Sequence, residues 1–127
     1  MPSFTKVILE TGVDGRARFR EEIIALDQGT SASCLSALFP SGGLQLRESP
    51  PGFASSMHCT TTPQWVFILA GRMEIRLADG SSRTFGPGEH FYSADLLPAG
   101  ASFDPAVHGH ASRQAGEGVL RTLFVRG

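Results

Sequence analysis

The sequence contains few cysteines, no excess of either charge and no long apolar run. Two cysteines, Cys34 and Cys59, are too few for a disulfide framework, which favours a reducing compartment and a cytoplasmic location. Because 11 lysines and arginines nearly balance 12 aspartates and glutamates, we expect no nucleic-acid partner held by phosphate contacts. No segment approaches the roughly 18 consecutive apolar residues that cross a bilayer, so we expect no membrane association.

Helical periodicity is scarce as well. Glycine or proline interrupts every stretch in which apolar positions recur at three- and four-residue spacing. The 15 glycines and 8 prolines provide frequent chain reversals instead, and frequent reversals between short apolar runs are typical of all-β domains. No linker or internal repeat divides the chain, so residues 1–127 are predicted to form a single domain.

Short strand-like runs recur along the whole chain. The predicted strands cover residues 4–9, 17–26, 33–39, 44–47, 64–77, 90–93, 108–113 and 119–125. This spacing is typical of a sandwich, a jelly roll or a barrel and does not decide among them. The first run is predicted to be an edge strand or an arm exchanged with a second copy of the chain.

The clearest run, residues 64–77, reads QWVFILAGRMEIRL. Alternation along a strand sends successive side chains to opposite faces, and the apolar odd positions are predicted to form one buried side. Those positions are Trp65, Phe67, Leu69, Met73, Ile75 and Leu77. Gly71 is predicted to be the bend at which one strand passes into the next, and Asp79-Gly80 is a strong hairpin signal.

The segment GFASSMHCTTTPQWVFILAG, which starts at Gly52, resembles the first conserved motif of the cupins. In that motif a glycine, a His-x-His pair, a glutamate and a second glycine follow one another at set spacings. Gly52, His58, Gln64 and Gly71 occur at these spacings. Two positions depart from the pattern, because Thr60 stands in place of the second histidine and Gln64 in place of the glutamate.

The segments RTFGPGEHFY and AVHGHASRQ resemble the second cupin motif, in which a Pro-Gly turn precedes a strand and a Gly-His pair follows a loop. Pro87-Gly88 supplies the turn and Gly109-His110 the pair. His110 therefore corresponds to the last metal ligand of the family, and His108 is the alternative inward-facing histidine.

The resemblance implies an all-β fold, a double-stranded β-helix or jelly-roll barrel of the cupin type in one domain. The barrel core would cover about residues 44–126, and residues 1–43 would add N-terminal strands that can pair two copies into a homodimer. The family commonly binds Fe, Mn, Ni or Zn inside the barrel, so a divalent transition metal is the implied cofactor.

The matched positions make His58, Gln64 and His110 the candidate metal ligands. Two imidazoles and a carboxylate would form the facial triad of non-haem iron oxygenases, but an amide here replaces the carboxylate. The candidate contacts for a small-molecule ligand are Thr60, Gln64, Trp65 and Phe91.

Three interpretations of this pocket stay open: a reduced metal site, a metal-free pocket for a small polar ligand, and a barrel that has lost its activity. The first would allow a metal-dependent oxygenase or isomerase, and the second a non-catalytic binding or sensor module. The sequence does not decide whether the protein is an enzyme.

Four further residues are candidates on weaker grounds. Asp95 and Asp104 are predicted to be turn residues, with a replacement carboxylate as the alternative. His90 is predicted to lie at the surface or the edge of the core. Cys59 is predicted to be a buried thiol on the opposite face from its neighbours His58 and Thr60.

Overall fold

The computed structural model describes residues 2–127, and over that range the chain forms eleven strands and no helix. Every reversal predicted from glycine and proline therefore joins strands. The strands are β1 (Ser3–Thr11), β2 (Ala17–Ala25), β3 (Gln28–Thr30), β4 (Ser33–Leu35), β5 (Gly43–Ser49), β6 (Gln64–Ala70), β7 (Met73–Leu77), β8 (Ser82–Phe85), β9 (His90–Ala94), β10 (His110–Gln114) and β11 (Leu120–Arg126).

Two sheets face each other around one core. The larger has six strands in the order β2-β1-β9-β6-β11-β5, and the smaller has three in the order β10-β7-β8. All pairs are antiparallel except β1 with β9. The segment 54–58 extends the smaller sheet, because Ala54 and His58 form single bridges to Arg113 and His110 of β10. This arrangement is the predicted all-β jelly roll.

The core draws side chains from both sheets. The larger sheet contributes Leu9, Val66 and Leu120, and the smaller contributes Ile75 and Phe85, all nearly inaccessible to solvent. Burial of such side chains stabilises each by about 1.5–3 kcal/mol relative to exposure. The core therefore holds the two sheets together.

The prediction of one buried side along residues 64–77 is wrong for β6. Val66 and Ile68 point into the core, whereas Leu69 is 51% exposed. The cause is the change of sheet between β6 and β7 at Gly71, where φ is +86°. The odd positions of β7 do face the core, so the buried parity reverses between the two strands.

Gly71 is the predicted bend, and no other residue would fit there. A Cβ atom at this position would lie 2.6 Å from the Gln114 amide nitrogen and 2.9 Å from the Val119 carbonyl oxygen. The positive φ disfavours any residue with a Cβ as well.

The N-terminal run forms a strand, but its predicted place at a sheet edge is wrong. β1 lies inside the larger sheet between β2 and β9, and the edges are β2 and β5. The long hairpin partner β2, paired from Ala17 to Ala25, takes the edge position instead. The run 33–39 also forms only the short strand Ser33–Leu35.

The remaining strand predictions agree with the structure within a few residues, and the Asp79-Gly80 turn joins β7 to β8. No helix between residues 2 and 127 has the length and apolar character needed to cross a bilayer.

Candidate functional site

A cavity of about 240 Å³ opens between the two sheets. Its apolar wall consists of Val66, Met73, Ile75, Phe91 and Phe124. The polar part of its lining consists of Gln45, Arg47, His58, Cys59, Thr60, Thr61, Thr62, Gln64, Ser93, His110, Ser112 and Arg126. An apolar wall with a few convergent polar groups is typical of sites for small molecules.

His58 and His110 are held side by side at this cavity. Their main chains exchange two hydrogen bonds of 2.9 Å, one in each direction, and their ring centroids lie 4.8 Å apart. Gly109 permits this approach, since a Cβ there would lie 2.5 Å from the His58 carbonyl oxygen. A glycine before His110 is therefore required sterically, because a side chain there would prevent the main-chain pairing of His58 with His110.

His110 is buried and bonded to an acid behind it. Its Nδ1 donates to Asp95 Oδ2 at 2.9 Å, and the Asp95 side chain is 1% exposed. The Thr11 hydroxyl lies 2.8 Å from Asp95 Oδ1, where it can donate a second hydrogen bond. Because Nδ1 is engaged with the carboxylate, Nε2 is the ring nitrogen that His110 retains for a cavity ligand.

His58 sits closer to solvent and is anchored through its main-chain surroundings. Its Nδ1 lies 2.8 Å from the Ser56 carbonyl oxygen, which can only accept a hydrogen bond. Nδ1 therefore donates, and Nε2 again is the nitrogen with a free lone pair. Both histidines thus keep their Nε2 atoms for other partners.

Thr60 is tied to the end of β9. Its main-chain N–H donates to the Asp95 carbonyl oxygen at 2.8 Å, and its hydroxyl lies 2.6 Å from the Ser93 hydroxyl. Ser93 pairs with Gln64 across the β6–β9 ladder, so both side chains lie on the cavity face. Thr60, Gln64 and Phe91, three of the candidate ligand contacts, therefore lie at one cavity.

The prediction that Trp65 contacts a ligand in the cavity is wrong, because Trp65 lies on the outer face of the larger sheet. Alternation along β6 turns Gln64 and Val66 inward and Trp65 outward, where its ring stacks on Phe67 at 5.7 Å. Trp65 is absent from the cavity lining. Trp65 and Gln64 are neighbours in β6, so the alternation of side chains along a strand sends them to opposite faces of the sheet.

Cys59 is also placed differently from its prediction. His58, Cys59 and Thr60 all line the cavity, because this segment is irregular rather than a strand and does not alternate. Burial raises the pKa of the Cys59 thiol, and the negative charge of Asp95 adds to the effect. A thiol with a raised pKa is a poor nucleophile at neutral pH.

Of the two histidines in the late loop, His110 lines the cavity and His108 does not. His108 Nδ1 accepts a hydrogen bond from the Asp104 main-chain N–H at 3.0 Å. Asp104 itself closes a turn by accepting from Ala106 N–H at 3.0 Å, as predicted for a turn residue. The prediction of a turn residue is wrong for Asp95, which is buried and bonded to His110.

His90 lies on the outer face of the larger sheet but is buried there. Its Nε2 accepts a hydrogen bond from the Val7 N–H at 3.2 Å, and its ring is 4.8 Å from that of Phe4. Burial lowers the pKa of His90, and the positive charges of Lys6 and Arg83 lower it further. His90 therefore joins β1 to β9 and takes no part in the cavity.

Sequence reasoning missed Arg47 and Ser93 as cavity residues. Arg47 is a charged residue in β5 whose inward direction follows only from its pairing with buried Thr122 of β11. Ser93 follows Phe91 at a spacing of two in β9, and that alternation was the available signal.

The fit of a metal ion depends on the donors that the chain supplies. Between residues 2 and 127, no three histidine, cysteine, aspartate or glutamate side chains cluster so as to hold a metal. His58 and His110 contribute two imidazoles and Gln64 a neutral amide, whereas Asp95 is already bonded to His110 Nδ1. This donor set is weaker than the three or four strong ligands of usual transition-metal sites.

No family model matches this sequence, and no curated protein matches it significantly. Solved structures of similar fold include the polyketide cyclase RemF from Streptomyces resistomycificus, with 21% identity and a TM-score of 0.48 over 65% of this chain. The match spans about half of RemF, 51% of that chain.

Two further similar structures are named as cupin domains. The Drosophila melanogaster CENP-C cupin domain has 13% identity and a TM-score of 0.47, over 95% of this chain and 70% of that one. The Schizosaccharomyces pombe Cnp3 cupin domain has 12% identity and a TM-score of 0.48, over 100% of this chain and 88% of that one. The architecture of the chain itself, two facing sheets and no helix between residues 2 and 127, is the all-β jelly roll that the sequence motifs predict.

Proposed function

We propose that this protein binds a small organic molecule in the cavity between its sheets, with His110 as the residue that exchanges a hydrogen bond or a proton with it. The observation that carries the proposal is the buried pair of His110 Nδ1 and Asp95 Oδ2, 2.9 Å apart. An acceptor on Nδ1 orients the ring and keeps Nε2 as the basic nitrogen.

The surroundings of the pair support the same use. Met73, Ile75 and Phe91 supply an apolar wall, and Ser112 and Gln64 supply neutral polar contacts. A volume of about 240 Å³ corresponds to roughly eight water molecules, which suits a compact ligand of metabolite size.

A screen of small carboxylic acids, amides and alcohols by thermal shift tests the proposal. Compounds that raise the melting temperature of the parent should lose this effect in His110→Gln. His108→Gln is the matched control, since His108 lies in the same loop outside the cavity. Failure of every compound on the parent, or equal shifts in His110→Gln, would contradict the proposal.

A second candidate function is binding of a divalent transition metal by His58, His110 and Gln64. It is favoured by the anchoring of both Nδ1 atoms, by the Ser56 carbonyl at 2.8 Å and the Asp95 carboxylate at 2.9 Å. Oxygen acceptors on Nδ1 orient metal-binding histidines in the same way. The metal would act there as a Lewis acid on a bound ligand.

Metal analysis of the purified protein separates the two candidates. One metal per chain in the parent, lost in the double variant His58→Ala, His110→Ala but kept in His108→Ala, supports the metal site. Equal, near-zero metal in all three samples rejects it. If the parent is metal-free, Gln64→Glu with Thr60→His, which adds the missing carboxylate and imidazole, is expected to create tight metal binding.

A further inference from the structure

Arg47 brings a positive charge to the cavity without a counter-ion. Its Nε donates to the Ser49 hydroxyl at 3.0 Å, while its Nη2 atom is buried and has no hydrogen-bond partner between residues 2 and 127. The guanidinium lies 4.7 Å from the ring of Phe53 and 5.6 Å from that of Phe124. These rings hold the guanidinium in place but cannot satisfy its free N–H groups.

The cavity lining includes no acidic side chain, and the carboxylate of Asp95 lies behind His110, bonded to its Nδ1. Arg47 and Arg126 line the cavity with the two histidines. Within the described chain, the arginines that form ion pairs with glutamates lie at the surface, such as Arg121 with Glu48 at 2.8 Å. A buried, unpaired donor on a charged group carries a desolvation cost that an anion can offset.

We propose that the ligand of this cavity is a small organic carboxylate, whose carboxyl group binds Arg47 and whose apolar body packs on the wall of Phe91 and Phe124. This inference deepens the proposed function and rests on the cavity being a ligand site. A planar guanidinium matches a carboxylate through two parallel hydrogen bonds. Arg47 thus selects the charge of the ligand, and His110 contacts another part of it.

The ligand is a monoanion in this proposal because Arg47 is the one lining residue whose guanidinium has a buried, unpaired nitrogen. Arg126 is exposed at the end of β11 and stays hydrated. Phosphate esters, which carry more charge and more acceptor oxygens, would need further buried donors.

Calorimetric titration with benzoate and with benzamide tests this selection. The two probes have nearly the same shape and differ in charge. Benzoate is expected to bind the parent roughly 10- to 100-fold more tightly than benzamide, the range for a charge-assisted hydrogen bond. Arg47→Gln should remove this preference and Arg121→Gln, a surface arginine, should keep it.

Three results would overturn the inference. Equal affinity of the parent for benzoate and benzamide would show a cavity without charge selection and would leave the proposed function standing. Benzoate binding that is unchanged in Arg47→Gln would place the anion elsewhere. Binding of neither probe at millimolar concentration would reject the carboxylate, and the compound screen with His110→Gln would then decide the proposed function by itself. If Arg47→Gln fails to fold, the comparison of the two probes on the parent still decides.

Discussion

Asp95 Oδ2 accepts a hydrogen bond from His110 Nδ1 at 2.9 Å, across 15 residues of chain. Asp95 directly follows β9 of the larger sheet, and His110 begins β10 of the smaller sheet. The pair therefore links the two sheets at the cavity. Removing either side chain is expected to affect both the stability of the fold and the cavity.

Asp95→Ala should lower the free energy of unfolding by roughly 2–4 kcal/mol, because it leaves the His110 Nδ1–H buried without an acceptor. Asp95→Asn should cost less than half of that, since an amide oxygen can still accept from Nδ1. Urea denaturation measures both. Asp104→Ala, in an exposed turn, is the control, and its cost is expected to stay at about 1 kcal/mol or less. Equal losses at the two positions would contradict a buried role for Asp95.

Gly109→Ala is expected to separate His58 from His110. The new Cβ would lie 2.5 Å from the His58 carbonyl oxygen, and φ at this position is +83°. Gly80→Ala is the matched control, because φ there is +88° and no heavy atom lies within 4 Å of the new Cβ. Gly80→Ala should cost about 1 kcal/mol for its backbone conformation alone.

The excess loss in Gly109→Ala over Gly80→Ala measures the steric clash. Thermal or urea unfolding of both variants gives this difference. Equal losses would mean that the His58 segment moves aside at no cost, and the paired arrangement of the two histidines would then be wrong.

The stability of the protein should fall below pH 6.5 in part because of His90. Burial lowers the pKa of His90 in the folded chain from its usual 6.5. Below about pH 6.5 the unfolded chain therefore binds a proton at His90 more readily than the folded chain does. The free energy of unfolding decreases as the pH falls from about 6.5 toward the lower folded pKa. Protonation would also remove the acceptor for Val7 N–H.

His90→Gln should flatten this part of the pH profile, because glutamine does not titrate. Urea midpoints measured between about pH 5 and pH 7 for the parent and the variant test the expectation. Parallel profiles would show that other groups cause the loss.

The outer face of the larger sheet predicts self-association into a homodimer. Leu44 and Leu46 of β5 are each 67% exposed, and Leu69 of β6 is 51% exposed on the same side. A contiguous apolar patch on a sheet is typical of an interaction surface. Leu46→Glu with Leu69→Glu should convert a dimer to a monomer, as measured by analytical ultracentrifugation.

Val13→Glu provides the control for this test. Val13 is fully exposed at the turn between β1 and β2, away from the patch, so its replacement should leave the dimer intact. A monomeric parent at micromolar concentration would contradict the prediction.

The strand periodicity and the glycine and proline turns were enough to predict an all-β domain, since these signals act over a few residues. The resemblance to the cupin motifs singled out His58, Gln64 and His110, and the structure lines one cavity with these three side chains.

Only the tertiary structure decided which face of β6 is buried and which partners His110 has. Leu69 and Trp65 point outward because β6 and β7 belong to different sheets, a fact that no alternation within the run records. Contacts with residues far away in the chain place Asp95 behind His110 and Arg47, which pairs with Thr122, at the cavity. Local sequence determines strands and turns, whereas the charge of the cavity depends on which strands pair.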